Sequence, residues 1–183
     1  MGNEVLRMEF YIAQAISMLT GAVAVVMMQF KSMKLILLGQ IVANLLAAST
    51  YFLLDGLSGT GICFLAIAHT IVMFFYNRKN KQPHISITII FILLYIACSI
   101  YYFKSIIDIF SALAAVCFAM SITQKEPAKS RLWYSFNPIC WLIYSIFCRA
   151  YANCIMYCVI ITSTFMAMVR VDGILKPKQK KED

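Results

Sequence analysis

Long apolar runs fill this chain, and each is stopped by a charge or a turn-forming residue. They lie near 9–30, 35–54, 59–76, 85–103, 105–123, 132–148 and 150–170. About 20 helical residues cross a bilayer core at 1.5 Å rise per residue, so every run has the reach of a transmembrane helix. The runs are continuous and do not alternate apolar with polar positions, which argues against a β-barrel. Lys31 and Lys34 end the first run, Asp55 to Ser58 the second, and Asn77 to Lys81 with Pro83 the third. Lys104 marks a tight turn between the fourth and fifth runs. Lys125-Glu126-Pro127 breaks the fifth, and Arg149 separates the last two.

Composition agrees with this pattern. Of 183 residues, 62% are hydrophobic and 13% charged, whereas soluble domains carry about 25% charge. The formal charge of +8 would suggest nucleic acid on a soluble chain, but here it reads as topology. Seven spans place Arg7, Lys104 and Arg149 on one side. The other side receives Lys31, Lys34, Arg78, Lys79, Lys81, Lys125, Lys129, Arg131, Arg170 and four lysines of the tail, a split of 3 against 13. Basic residues stay cytoplasmic, so the N-terminus is expected outside and the C-terminus inside. The first run, preceded by one Arg and two Glu, reads as a retained span and not a cleaved signal. The tail reads as a topology determinant. All seven cysteines fall in spans without metal-ligand spacing, so neither a disulfide framework, a metal site nor a cofactor is expected.

A three-one-three layout invites a test for duplication. At an offset of 93, Asn44 pairs with Asn137, Tyr51 with Tyr144, Ile62 with Ile155, Ile67 with Ile160 and Met73 with Met166. The span ends coincide, and the paired asparagines fall at one depth. Both triplets start on the same side of the membrane, with the fourth span as an inverting linker. The expectation is an all-α membrane protein of seven transmembrane helices in a 3+1+3 arrangement of two parallel three-helix repeats. The first bundle covers 9–76, the linker helix 85–103, the second bundle 105–170 and a cytoplasmic tail 171–183.

This layout, with the segment Cys140-Trp141-Leu142-Ile143-Tyr144, resembles the SWEET, semiSWEET and PQ-loop superfamily. There a Trp-x-x-Tyr-Gly stretch ends the second helix of each bundle. Over nearly the whole chain the sequence is similar to the YgjV-type bacterial inner-membrane proteins of that superfamily, through Tyr11-Ile12-Ala13-Gln14 and the Cys-Trp pair. Vitamin transporters of the nicotinamide-riboside type share the helix layout. The resemblance implies a bacterial inner-membrane location and passage of a small polar solute. The departures are specific: neither span one nor span five has a Pro-Gln pair, Ser145 replaces the motif Gly, and Pro138 sits in span six. Where semiSWEETs carry a sugar-binding Asn in the third helix, this chain has Tyr157, with Phe64 as its repeat mate.

Polar side chains inside a membrane are costly and face the interior or a watery cavity. Trp133, Asn137, Trp141 and Tyr144 form one helical stripe, and their repeat mates are Gln40, Asn44, Ala48 and Tyr51. If the stripes face each other, amides and aromatic faces would line a solute pocket. The competing reading has the asparagines tie neighbouring helices together. Tyr157 joins the candidate pocket. His69, whose repeat mate is Thr162, is either a titrating or solute-contacting group or a packing histidine. Asp108 is either a cation or proton contact or a charge at a helix N-terminus. Pro138 is a candidate hinge or a static kink. Trp133 also suits an interfacial belt.

No nucleophile–base pair, paired carboxylates or phosphate loop is present, so an enzyme is not expected. Two functions stand: a facilitator for a sugar, vitamin or similar polar metabolite, and a non-transporting scaffold or accessory protein. A third, proton-coupled transport, rests on His69 and Asp108. The partners are lipid and a small solute, without nucleic acid, and pairing of two chains stays open.

Overall fold

The computed structural model describes residues 2–54, 57–79, 81, 83–103, 106, 108–147 and 151–171. The side chains of residues 2–7, 57, 58, 108, 147 and 151 lie outside the description. So do Lys104, Cys148, Arg149, the tail and the expected role of the Asp108 carboxylate.

Among the described residues seven helices follow one another: α1 (Gly2–Met28), α2 (Met33–Leu53), α3 (Leu57–Arg78), α4 (Ile85–Tyr101), α5 (Asp108–Thr123), α6 (Pro127–Phe147) and α7 (Tyr151–Arg170). No strand occurs among the described residues. Short connections make successive helices antiparallel. The C-terminal ends of the odd-numbered helices and the N-terminal ends of the even-numbered ones therefore share one end, which carries Lys31, Lys34, Arg78, Lys79, Lys125, Lys129 and Arg170. It is called the basic end below.

Among the described residues four helices are long and apolar enough to cross a membrane: Met8–Met28, Met33–Leu53, Gly59–Arg78 and Ala152–Arg170. Two more, Ile85–Tyr101 and Ile109–Thr123, are apolar but shorter. The 17 residues of α4 reach about 25 Å. Two helices start well before the runs read from sequence: α1 begins at Gly2 and not near 9, and the seventh to be considered, α6, departs likewise. It begins at Pro127 and not near 132, because proline is well placed in a first helical turn, where the missing N–H costs nothing. Lys129, Ser130 and Arg131, read as loop residues, are thereby helical, and they lower the apolarity of α6. The helix runs on through Pro138, which is fully buried.

Packing follows chain order around a closed ring. The principal contacts are α1 with α2, α2 with α3, α5 with α6 and α6 with α7. The ring closes where α1 meets α7 and where α3 meets α5, and α4 is seated against both α3 and α5. Small residues allow the close approaches: a Cβ on Gly39 of α2 would stand 2.5 Å from Met27 Cβ of α1. Polar side chains staple the α1/α7 seam. Gln29 Nε2 donates to Ser163 Oγ at 2.9 Å, and Ser17 Oγ donates to Asn153 Oδ1. Near the basic end Ser121 Oγ of α5 donates to the Ser130 carbonyl of α6 at 2.9 Å.

The core is densest toward the basic end, where Met27, Met28, Met33, Ile36, Leu37 and Met73 are all buried. Arg131 sits beside this core at 1% exposure. Its Nη1 donates to the carbonyls of Phe30 at 2.8 Å and Met28 at 3.2 Å. A cation thus caps the C-terminal end of α1, where orphan carbonyls and the helix dipole both favour positive charge. The residue counted in the sequence as a surface topology determinant is a buried helix cap.

Candidate functional site

The interior opens beyond the methionine-rich core. A cavity of about 100 Å³ lies on the bundle axis, and all seven helices contribute to its wall. The longest stripe comes from α2: Gln40, Ala43, Asn44, Ala47 and Tyr51. Their spacing of i, i+3, i+4, i+7 and i+11 keeps them on one face over about 16 Å of helix. Opposite, α6 supplies Tyr134, Asn137 and Trp141, with Tyr157 of α7 and Tyr95 of α4 beside them. A smaller space of about 40 Å³ adjoins it away from the basic end and includes Ser17, Thr50 and Asn153. Thr20, Ala47, Tyr51 and Tyr157 line both spaces. The hydroxyls of Tyr51 and Tyr157 lie within hydrogen-bonding reach of each other at this partition.

Six of the eight residues proposed from sequence therefore converge: Gln40, Asn44, Tyr51, Asn137, Trp141 and Tyr157. The ring of Tyr51 stacks on that of Trp141 with centroids 6.1 Å apart and planes at 26°. Tyr144 does not line the cavity; it meets Trp141 edge-on at 5.7 Å.

His69 is also outside. Fully buried, it stacks flat on Phe91 of α4 with centroids 4.1 Å apart, and neither ring nitrogen has a hydrogen-bond partner among the described residues. The α4 ring that does reach the cavity is Tyr95, 6.1 Å from His69.

The stripe expected on α6 is rotated. Trp133 is 38% exposed, and Tyr134 takes the inward position. The strict pairing by an offset of 93 consequently holds in the wall only for Asn44 and Asn137.

These two asparagines behave differently. Asn137 Nδ2 donates to the Ala114 carbonyl of α5 at 2.8 Å, joining two helices. Asn44 Nδ2 donates at 2.8 Å to the Gln40 carbonyl of its own helix, a bond that joins no second helix. Helix tying thus accounts for one of the pair.

No Asp, Glu, Lys or Arg appears among the lining residues. Tyr95 Oη is buried without a partner among the described residues, and an unsatisfied buried polar atom costs about 1–3 kcal/mol; the Gln40 amide faces the Tyr134 hydroxyl. A guest bearing a hydrogen-bond acceptor would relieve the cost at Tyr95. Among the described residues no group of three His, Cys, Asp or Glu could hold a metal ion. Sequence reasoning missed Tyr95 and Tyr134. Tyr95 was legible as a polar-tipped ring in mid-span of α4, whereas Tyr134 depended on the rotation of α6.

Fold and site together define a polytopic helical membrane protein with a small axial chamber, largely apolar in surface and set with a few amide and hydroxyl groups. The sequence matches the family described as Imp-YgjV, bacterial inner membrane protein, over residues 11–173, and the chain belongs to that family. No curated protein and no solved structure is significantly similar to it. It is accordingly a multi-pass protein of the bacterial inner membrane, with lipid around its apolar exterior.

Proposed function

We propose that this chain is a facilitator for a small, uncharged polar solute, working by alternating access. The observation that carries the reading is the axial chamber. All seven helices contribute to it, no charged side chain lines it among the described residues, and Tyr95 Oη is unpaired in a wall shared with Gln40, Tyr51 and Trp141. Amides and aromatic faces in this combination suit a hydroxylated or planar ring.

The packing supports a repeat. Exchanging α1, α2, α3 with α5, α6, α7 carries the α1/α2 contact onto α5/α6, α2/α3 onto α6/α7, and α1/α7 onto α5/α3. That is the pattern of two parallel three-helix units about an axis along the membrane normal, with α4 as the odd helix. It supports the 3+1+3 arrangement and a place in the SWEET-like superfamily. The excess of basic residues at one end supports an external N-terminus. At about 100 Å³ the chamber holds several waters, while ligand pockets run to about 300–1,000 Å³. Passage of a sugar-sized solute therefore requires helices to part, with Pro138 as the hinge of α6 and the Tyr51/Tyr157 partition as the barrier that yields.

A second reading, a non-transporting scaffold or accessory protein, is favoured by the same small volume and by the commitment of Asn137 to Ala114. Proteoliposome uptake of labelled sugars, nucleosides and vitamins separates the two. Uptake of one solute, reduced by Gln40→Leu without loss of stability, supports the facilitator. If no solute moves, and Asn137→Ala changes stability alone, the scaffold reading replaces it.

A further inference from the structure

The two seams that close the ring are not treated alike. At the α3/α5 seam the chain supplies α4 as a cover, and Phe91 of α4 packs on His69 of α3. Among the described residues the α1/α7 seam has no such cover. The principal contacts of α1 and α7 are with each other and with α2 and α6. His69 has Thr162 as its repeat mate, and Thr162 lies in a groove of about 810 Å³ between α1 and α7. The groove is walled by Val25, Val159, Phe165, Met166 and Val169, and Gln29 and Arg170 stand at its basic end.

Its length identifies what fits. From Cys158 to Arg170 the wall runs about 18 Å at 1.5 Å per residue. The α1 wall, Val25 to Gln29, belongs to the same half of the bundle. One leaflet is half of a hydrocarbon core of about 30 Å. A partner's transmembrane helix would need a groove through both leaflets, whereas this one serves a single leaflet. Its interior offers little polarity, because Gln29 and Ser163 are occupied with each other. It ends in the exposed Arg170 at the last turn of α7. The geometry points to a binding site for one anionic phospholipid of the basic-end leaflet, an acyl chain in the α1/α7 groove and its phosphate on Arg170. Such a lipid would occupy the place that α4 takes on the opposite seam.

The test is native mass spectrometry of the detergent-solubilised full chain, titrated with phosphatidylglycerol or phosphatidylcholine. One phosphatidylglycerol should be retained in preference to phosphatidylcholine, and Arg170→Gln should weaken it about fivefold, the effect of one basic side chain near an anionic headgroup. Lys79→Gln, at the end of α3 away from this seam, should leave retention unchanged. Thr162→Trp, which fills the groove, should abolish binding of the lipid while elution and helical content stay as in the wild type. Equal retention of both lipids, equal effects of Arg170→Gln and Lys79→Gln, or binding that survives Thr162→Trp would each overturn the site. A two-chain species lost on Thr162→Trp would instead assign the seam to a second copy of this chain.

Discussion

The ring of Tyr51 on α2 lies stacked against the ring of Trp141 on α6, 6.1 Å between centroids, and so joins the middle helices of the two halves of the chain. The contact crosses the axis of the bundle, where α2 and α6 have no principal backbone contact. An aromatic pair of this kind gives about 0.5–1.5 kcal/mol beyond the area it buries. A double-mutant cycle of Tyr51→Leu and Trp141→Leu should return a coupling of about 1 kcal/mol, read from unfolding in mixed micelles. A coupling near zero would mean that the rings are adjacent without holding the halves together.

Gly59 of α3 backs the Tyr51 ring. A Cβ there would fall 2.8 Å from Tyr51 Cγ, a distance that forces the ring to shift. Gly59→Ala should cost about 1–3 kcal/mol and move Tyr51 off Trp141. In a Trp133→Phe background, the emission of Trp141 reports the displacement. Unchanged emission would show that the helix backbone yields instead of the ring.

The two cavity asparagines should separate stability from solute handling. Asn137→Ala removes the bond to the Ala114 carbonyl, and interhelical hydrogen bonds of this kind are worth about 0.6 kcal/mol on average and at most about 1.7. Asn44→Ala removes a bond within one helix and should leave the melting temperature almost unchanged. Under the facilitator reading it should still lower uptake, measured in proteoliposomes.

Arg131 is expected to be the most sensitive charged position among the described residues. Replacement by Met keeps the length but leaves the Phe30 and Met28 carbonyls at the end of α1 without their cation. Loss of hydrogen bonds from a charged donor costs about 1.5–3 kcal/mol. Arg131→Lys should recover only part of this, since a single ammonium does not reproduce the planar guanidinium. Thermal unfolding in detergent measures both variants.

His69→Phe is predicted to be tolerated or stabilising, because it removes two buried nitrogens that lack partners and keeps a ring on Phe91. Unfolding measurements check the stability. Uptake at pH 6 and pH 8 checks the role: a wild-type pH dependence that disappears in His69→Phe would restore the proton-coupled reading.

The hydrophobic pattern was sufficient to number the helices and place most of their ends, because lipid leaves the backbone little choice but to satisfy itself within each run. The helix ends at Leu53, Arg78, Thr123 and Arg170 lie within two residues of the runs read from sequence. Where charge and turn chemistry overlap, as at Pro127 to Arg131, the pattern misled. A residue that looks like a solvated loop cation can be drawn inward when a neighbouring helix presents bare carbonyls to it. Six candidate residues reached the cavity because intramembrane amides and polar-tipped rings have few other places to go.

Rotation of each helix about its own axis was not written in the spacing. A stripe through Trp133, Asn137 and Trp141 and one through Tyr134, Asn137 and Trp141 are almost equally regular at 3.6 residues per turn. Contact with α5 and α7 decided between them, turning Trp133 outward and Tyr134 inward. Packing likewise took His69 out of the cavity and onto Phe91, where both its ring nitrogens are buried without partners among the described residues. The amino-acid sequence determined that this protein is a bundle of membrane helices and which few polar groups it must shelter. The tertiary structure decided which of them share a chamber, because that depends on helix azimuth and on the shapes of neighbours far away in the chain.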